Sequence, residues 1–315
     1  MTESTTTYGE TSAAQSPELL AALAVLLATA CWGTSGIFIK LILITGRVEL
    51  LALAFWRALI AFLLMVLGLR LLHPAWLRVS RGDLIWLGML GASWSVLQVL
   101  WSVAVLLSGA SVATVQQATM PAIVAVAAWL IWRESLTGRK VLAILLTFVG
   151  TVFVSGLNLV GQADLSFSGF LAGLGVATVY AVWNLVVKKV RMTHNPFTTI
   201  TYSFGFAALA LLPFQFFIPV PRSLPAPLLM NFVGLVGVTT IGGFLIYAFA
   251  VGRLQASVAT ILAMAEIPIV AVYAFIILGE RLTVAQLMGT VLVTAGVVIL
   301  SWRSPRQVHQ TGVAS

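Results

Sequence analysis

Two ionisable residues fall inside long apolar runs of this chain, Glu266 and Arg57. An ionisable group at such depth in a membrane helix costs at least about 2.5 kcal/mol, so it marks a function by default. Glu266 lies about ten residues into the run that opens at Ala256, ~15 Å along a helix axis and close to a membrane midplane. Two positions on, Pro268 removes a backbone donor and leaves carbonyls unpaired, which a substrate, ion or water could satisfy. Glu266 is therefore a candidate for substrate binding and for proton coupling, loading on one side and releasing on the other. A neutral, hydrogen-bonded acid that merely glues helices together is the alternative. Arg57 sits about seven residues into its run, ~10 Å deep. It suits a substrate carboxylate, or else an interfacial anchor whose side chain snorkels to water, or the partner of an acidic residue.

Polar and aromatic residues form helical stripes around these charges. Trp94, Gln98 and Trp101 are spaced i, i+4, i+7; Tyr180, Trp183 and Asn184 are spaced i, i+3, i+4. Trp32 with Ser35, Gln117, and Tyr247 add groups at similar depth. Together they predict an amphipathic cavity with aromatic walls, amides, one acid and one base, suited to a zwitterionic or aromatic small molecule. Single Trp residues can instead belong to interfacial belts, the reading given to Trp76, Trp86, Trp132 and Trp302.

The elements that must hold these residues are membrane spans. Of the 315 residues 60% are hydrophobic and 8% charged, and the mean hydropathy is +1.07, far from the roughly 25% charged content of soluble domains. The net charge of +8 is spread singly or in small groups between apolar runs, which argues for helix anchors and against nucleic acid. The one cysteine, Cys31, excludes an intrachain disulfide or a Cys-based metal cluster. Breaking the chain at charges, Pro and Gly predicts ten helices. Five lie within 19–160 and five within 169–302, joined by a polar link at 161–168, with tails at 1–18 and 303–315. On the side of the N-terminus fall twelve Lys and Arg, such as Arg81, Arg139 and Lys188, against four on the other side, Lys40, Arg47, Arg222 and Arg281. Basic loops stay in the cytoplasm, so both termini are expected there, in a bacterial inner membrane.

A shift of 146 positions lays Ala110-Ser111-Val112-Ala113-Thr114 on Ala256-Ser257-Val258-Ala259-Thr260. The same shift superposes Glu134 on Glu280, Gly88 and Gly91 on Gly234 and Gly237, Trp101 on Tyr247, and Gly150 on Gly296. Five helices per unit is an odd number, so the second copy is inverted in the membrane. Inverted repeats are the architecture of alternating-access carriers, with a central site at the repeat interface.

The doubled Ala-Ser-Val-Ala-Thr run, the Pro that follows each copy (Pro121, Pro268), the run Leu278-Gly-Glu-Arg-Leu-Thr283 with its weaker copy at Glu134, and the late Gly150 and Gly296 resemble the EamA-type members of the drug/metabolite transporter superfamily. The resemblance covers nearly the whole chain. It implies a ten-helix carrier, usually an exporter of amino acids or related metabolites, with both termini inside. One departure is that Ile267 separates Glu266 from Pro268, where the family often has Glu directly before Pro.

An intramembrane enzyme and a channel are the alternatives. His73, His194, His309, Asp83 and Asp164 all fall in loops or the tail, so a catalytic dyad or metal site has no candidates inside a span, and no cofactor is called for. No ring of charges suggests an ion filter.

Overall fold

The computed structural model describes residues 17–43, 45, 46, 48–154, 167–218, 225–278 and 283–301. Both tails, the link around Asp164 and the run carrying Glu280 lie outside this set. Among the described residues every regular element is helical. Eight stretches of the described residues are long and apolar enough to cross a membrane, and Val284–Leu300 is a shorter apolar helix.

The chain begins with α1 (Pro17–Gly33) and α2 (Ser35–Leu43), one rod interrupted at Thr34. Next come α3 (Leu50–Leu72), a 3-10 turn at Pro74–Leu77, and α4 (Arg81–Gln117), whose first turn is capped by the Ser80 hydroxyl. After a step at Ala118 and Thr119, α5 (Met120–Trp132) ends on Arg133 in the left-handed conformation (φ 57°). The first half closes with α6 (Gly138–Val154).

Although α4 is helical along its whole 37 residues, it is not straight. Leu100 meets Gly175 and Gln116 meets Gly173, whereas a straight rod would carry Gln116 about 24 Å past Leu100. The chain therefore doubles back between those residues, and Met120 continues the return by reaching Asn184. The expected loop between the third and fourth spans is thus a sharp reversal inside a helical stretch.

In the second half α7 (Phe167–Arg191) is followed by α8 (Pro196–Leu211), started by an Asn195 side chain that accepts the Thr198 amide at 2.9 Å. A 3-10 segment, Leu212–Phe217, extends α8. The next rod runs through α9 (Ala226–Gly234), a π-helical stretch Leu235–Gly243 and α10 (Phe244–Val251). Wider π turns leave backbone carbonyls poorly paired, and Thr239 and Thr240 both return their hydroxyls to the Leu235 carbonyl, at 2.5 and 2.8 Å. Finally α11 (Ala256–Ala263), a step at Met264 and Ala265, α12 (Glu266–Leu278) and α13 (Val284–Ser301) complete the bundle.

Glycine sets the closest approaches. A Cβ at Gly150 would stand 2.7 Å from the Gly289 carbonyl oxygen, and one at Gly296 would stand 3.0 Å from that of Ala143. Residue numbers fall along α6 as they rise along α13, so the two are antiparallel and in backbone contact, as small residues allow in a bilayer. Gly91 brings α4 onto α8 in the same way, 2.6 Å from the Ser203 carbonyl, and the Ser95 hydroxyl bonds Ala207 O there at 3.0 Å. Leu, Phe and Trp side chains on the outer faces, such as Leu67, Trp129 and Ile276, are exposed and apolar, which is the surface a lipid-embedded bundle presents.

Candidate functional site

The spans of the two halves break at matching places. Ala118 and Thr119 interrupt the first half between α4 and α5; 146 positions later Met264 and Ala265 interrupt the second between α11 and α12. Pro121 and Pro268 stand just beyond the breaks, where a missing amide and a fixed φ suit the first turn of a helix. Glu266 therefore begins α12 instead of lying mid-helix, in the first turn at the positive end of that helix dipole.

A cavity of about 630 Å³ lies over both breaks. Gln117, Ala118, Ala263, Met264 and Glu266 form its floor, and it extends to Leu43, Leu50, Val154 and Gln286 at the far ends of four helices. Of the twelve residues expected at the site, Trp32, Ser35, Arg57, Gln98, Trp101, Gln117 and Glu266 line this one space. They come from α1, α2, α3, α4 and α12, so both halves contribute. Arg57 is 8% exposed, and its guanidinium lies 4.9 Å from the centre of the Trp94 ring. Its Nε is buried without a hydrogen-bond partner, as is Trp32 Nε1. The Arg57 side chain is thus buried within the bundle, against Trp94 and at the cavity wall.

Trp94, Tyr180, Trp183, Asn184 and Tyr247 do not line the cavity, and this corrects their expected place. They belong to the packed layer beneath it. Trp32 packs at a tilt against Tyr247 at 4.9 Å and Phe244 at 5.0 Å; Trp183 and Trp94 meet the same Phe244 edge-on. Asn184 is satisfied internally: it accepts from the Tyr247 hydroxyl at 2.5 Å and donates to the Tyr180 carbonyl at 2.9 Å. A helical stripe fixes which side chains share a face, but both a cavity and a neighbouring helix are lipid-free destinations. Burial decided for the neighbour here.

The end opposite the cavity mouth is shut by polar contacts between the halves. The Glu134 carboxylate accepts the Ala256 amide at 2.8 Å, the Ser257 amide at 3.3 Å and the Ser257 hydroxyl at 2.5 Å, capping the exposed donors of α11. Lys140 stands 3.7 Å from the same carboxylate and donates to the Gln255 side chain at 2.6 Å. Within the second half, Lys188 donates to the Val251 carbonyl at 3.0 Å and also to that of Leu254, while Arg191 donates to Ala248 O at 2.7 Å. Thr137 accepts the Lys140 amide at 3.4 Å at the start of α6. The basic residues read from sequence as orientation signals thus also bond the carbonyl end of α10. What the sequence did not reveal is that Glu134 holds the other half's copy of the Ala-Ser motif. Partners more than a hundred positions apart leave no local pattern.

Among the described residues no group of three or more His, Cys, Asp or Glu gathers that could hold a metal ion. A helical bundle with matching broken helices over a two-sided cavity is the form of an integral membrane transporter. Residues 19–156 and 167–302 each match the EamA-like transporter family, and the chain belongs to that family as a membrane transporter with two EamA units. It is 26% identical to the "uncharacterized inner membrane transporter YicL" of Salmonella typhimurium, over 90% of this chain and 96% of that protein. An "uncharacterized transporter" of Archaeoglobus fulgidus is 30% identical over 54% of this chain; the match spans 59% of that relative's length. A solved crystal structure superposes with a TM-score of 0.75 at 17% identity, over 89% of this chain and 95% of the other, and so shares its fold.

Proposed function

We propose that the chain is a secondary active carrier of the bacterial cytoplasmic membrane that exports amino acids or related small metabolites by alternating access, with Glu266 as its proton-coupling residue. The two halves, 19–160 and 169–302, act as inverted five-helix repeats, with α6 and α13 completing ten spans and both termini in the cytoplasm.

The observation that carries this reading is the pair of helix breaks, 146 residues apart, that meet at the floor of one cavity. Half-helix ends at the repeat interface are where substrate and coupling ion bind in carriers of this type. Packing supports the inversion. Exchanging the halves turns the α4–α7 contact into α10–α1, α5–α7 into α12–α1, and returns α3–α8 and α6–α13 to themselves. Within α6–α13, Gly150 meets Gly289 while Ala143 meets Gly296, each contact being the other's image under the 146 shift.

The same comparison points to a state open away from the basic end. Gly91 is pressed onto α8, but its counterpart Gly237, in the π-helical stretch, has nothing within 4 Å. One pair of equivalent contacts is closed and the other open, as alternation between two mirrored states requires. On the reading that the basic end lies inside, which the Lys and Arg distribution supports, this state faces outward.

The test is transport in proteoliposomes holding the full chain. A panel of radiolabelled amino acids is offered for counterflow, with and without a pH gradient. The expected result is counterflow of at least one amino acid in both the parent and Glu266→Gln, with gradient-driven accumulation lost only in the variant. Accumulation retained by Glu266→Gln would remove the coupling role, and loss of counterflow itself would make Glu266 a substrate ligand.

A further inference from the structure

Arg57 is a buried cation with an unusual set of neighbours. No carboxylate among the described residues lies within ion-pair distance of it, and the ion pairs found, Lys140–Glu134 and His194–Asp83, lie at the basic end. Glu266, the acid that lines the same cavity, is not bonded to it. Instead the guanidinium rests 4.9 Å over the Trp94 ring, and its Nε is buried and unpartnered. Trp94 is itself 3% exposed and fixed by edge contacts from Phe204 at 5.7 Å and Phe244 at 6.4 Å. It touches the cation from behind, outside the cavity lining.

A π face attracts a guanidinium but carries no net charge, so it can orient the group without neutralising it. An Asp or Glu in that place would both orient and neutralise, and the positive charge would be lost to a ligand. A planar guanidinium that is itself buried and has a free edge at the cavity wall matches a carboxylate, which can accept two parallel hydrogen bonds.

The repeat isolates this pair. Shifted by 146, Arg57 falls on Ser203 and Trp94 on Thr240. Both counterparts are packed away, at 2% and 0% exposure, and the Thr240 hydroxyl is spent on the Leu235 carbonyl at 2.8 Å. Helix breaks and close-packing glycines occur in both halves and build the scaffold. The Arg57–Trp94 pair occurs in one, and cargo selection is a task that needs only one.

We infer that Trp94 is a positioning residue that holds Arg57 as an unneutralised cation, so that the cavity selects substrates carrying a carboxylate over their uncharged amides. This rests on the reading of the cavity as the substrate site.

The test uses the full chain in nanodiscs and two ligands that differ only in the charged group, 3-phenylpropanoate and 3-phenylpropanamide. The quantity measured is the ratio of their affinities. The parent is expected to prefer the acid by about tenfold or more, the scale of one charge-assisted hydrogen bond. Trp94→Met, which fills the space without a π face, brings the ratio below about threefold, and Trp94→Phe restores most of it. Arg57→Lys keeps the charge but loses the stacked plane, and it also lowers the ratio; it serves if the Met variant does not fold. A general packing defect would weaken both ligands alike and leave the ratio unchanged. An unchanged ratio in Trp94→Met and Arg57→Lys overturns the positioning role while the cavity reading stands. A parent that binds both ligands equally overturns the selection for carboxylates, and a parent that binds neither overturns the cavity reading with it.

Discussion

Arg57 and Glu266 sit in the same cavity without neutralising each other, which separates a cationic from an acidic recognition point. Between them Trp32, Gln98, Trp101 and Gln117 supply apolar faces and amide groups. Arg57→Ala is expected to weaken substrate binding by about ten- to a hundredfold, the loss of one or two charge-assisted hydrogen bonds. Trp101→Ala removes a wall and costs about three- to tenfold. Trp129, 47% exposed on the outside of α5, is the control, and its Ala variant stays within about twofold. Saturation binding of the counterflow substrate to purified protein measures all three; equal small effects would mean that the cavity is not the binding site. The intramembrane charges were legible in the sequence because apolar surroundings make them conspicuous. The destination of Trp183 and Asn184 was not, since their spacing is compatible with a cavity wall and with the buried layer where they stand.

At the scale of elements, backbone contact between helices depends on glycines, and the sign of a substitution depends on what each one faces. Alanine is favoured over glycine in a helix by about 1 kcal/mol. Gly68 in α3 has nothing within 4 Å of an added Cβ, so Gly68→Ala is expected to raise thermal stability slightly. At Gly150 the same atom would meet the Gly289 carbonyl at 2.7 Å and the Val293 amide nitrogen at 2.8 Å. Overpacking of that kind costs about 1–3 kcal/mol and outweighs the propensity gain. Gly150→Ala should therefore lower the unfolding temperature in detergent by roughly 2–6 °C, while Gly68→Ala does not lower it. Equal shifts would mean that α6 and α13 are not in backbone contact. Hydropathy located these helices and the turn between the third and fourth spans, which the structure makes as a reversal within α4. The π-helical turns of Leu235–Gly243, packed against α1, leave no mark in the local periodicity.

At the scale of the whole molecule, the repeat in the sequence pairs positions that the structure packs differently. Glu134 binds the start of α11 at the basic end, Gly91 is closed on α8, and Gly237 stands open. Alternation requires the clasp at Glu134 to release as the cavity shuts at its other end, so the two events are coupled. The most direct measurement is the reactivity of single cysteines toward an impermeant thiol reagent in a Cys31→Ser background. One is placed at Gly36, an exposed cavity position with room for a side chain, and one at Val258 in the first turn of α11, next to the bonded Ser257. In right-side-out vesicles Gly36→Cys should react readily, and in inside-out vesicles Val258→Cys should be protected. Adding Glu134→Ala should reverse both, slowing labelling at 36 and speeding it at 258. Simultaneous rapid labelling at both positions, or a Glu134→Ala variant that changes one without the other, would contradict alternating access about this cavity.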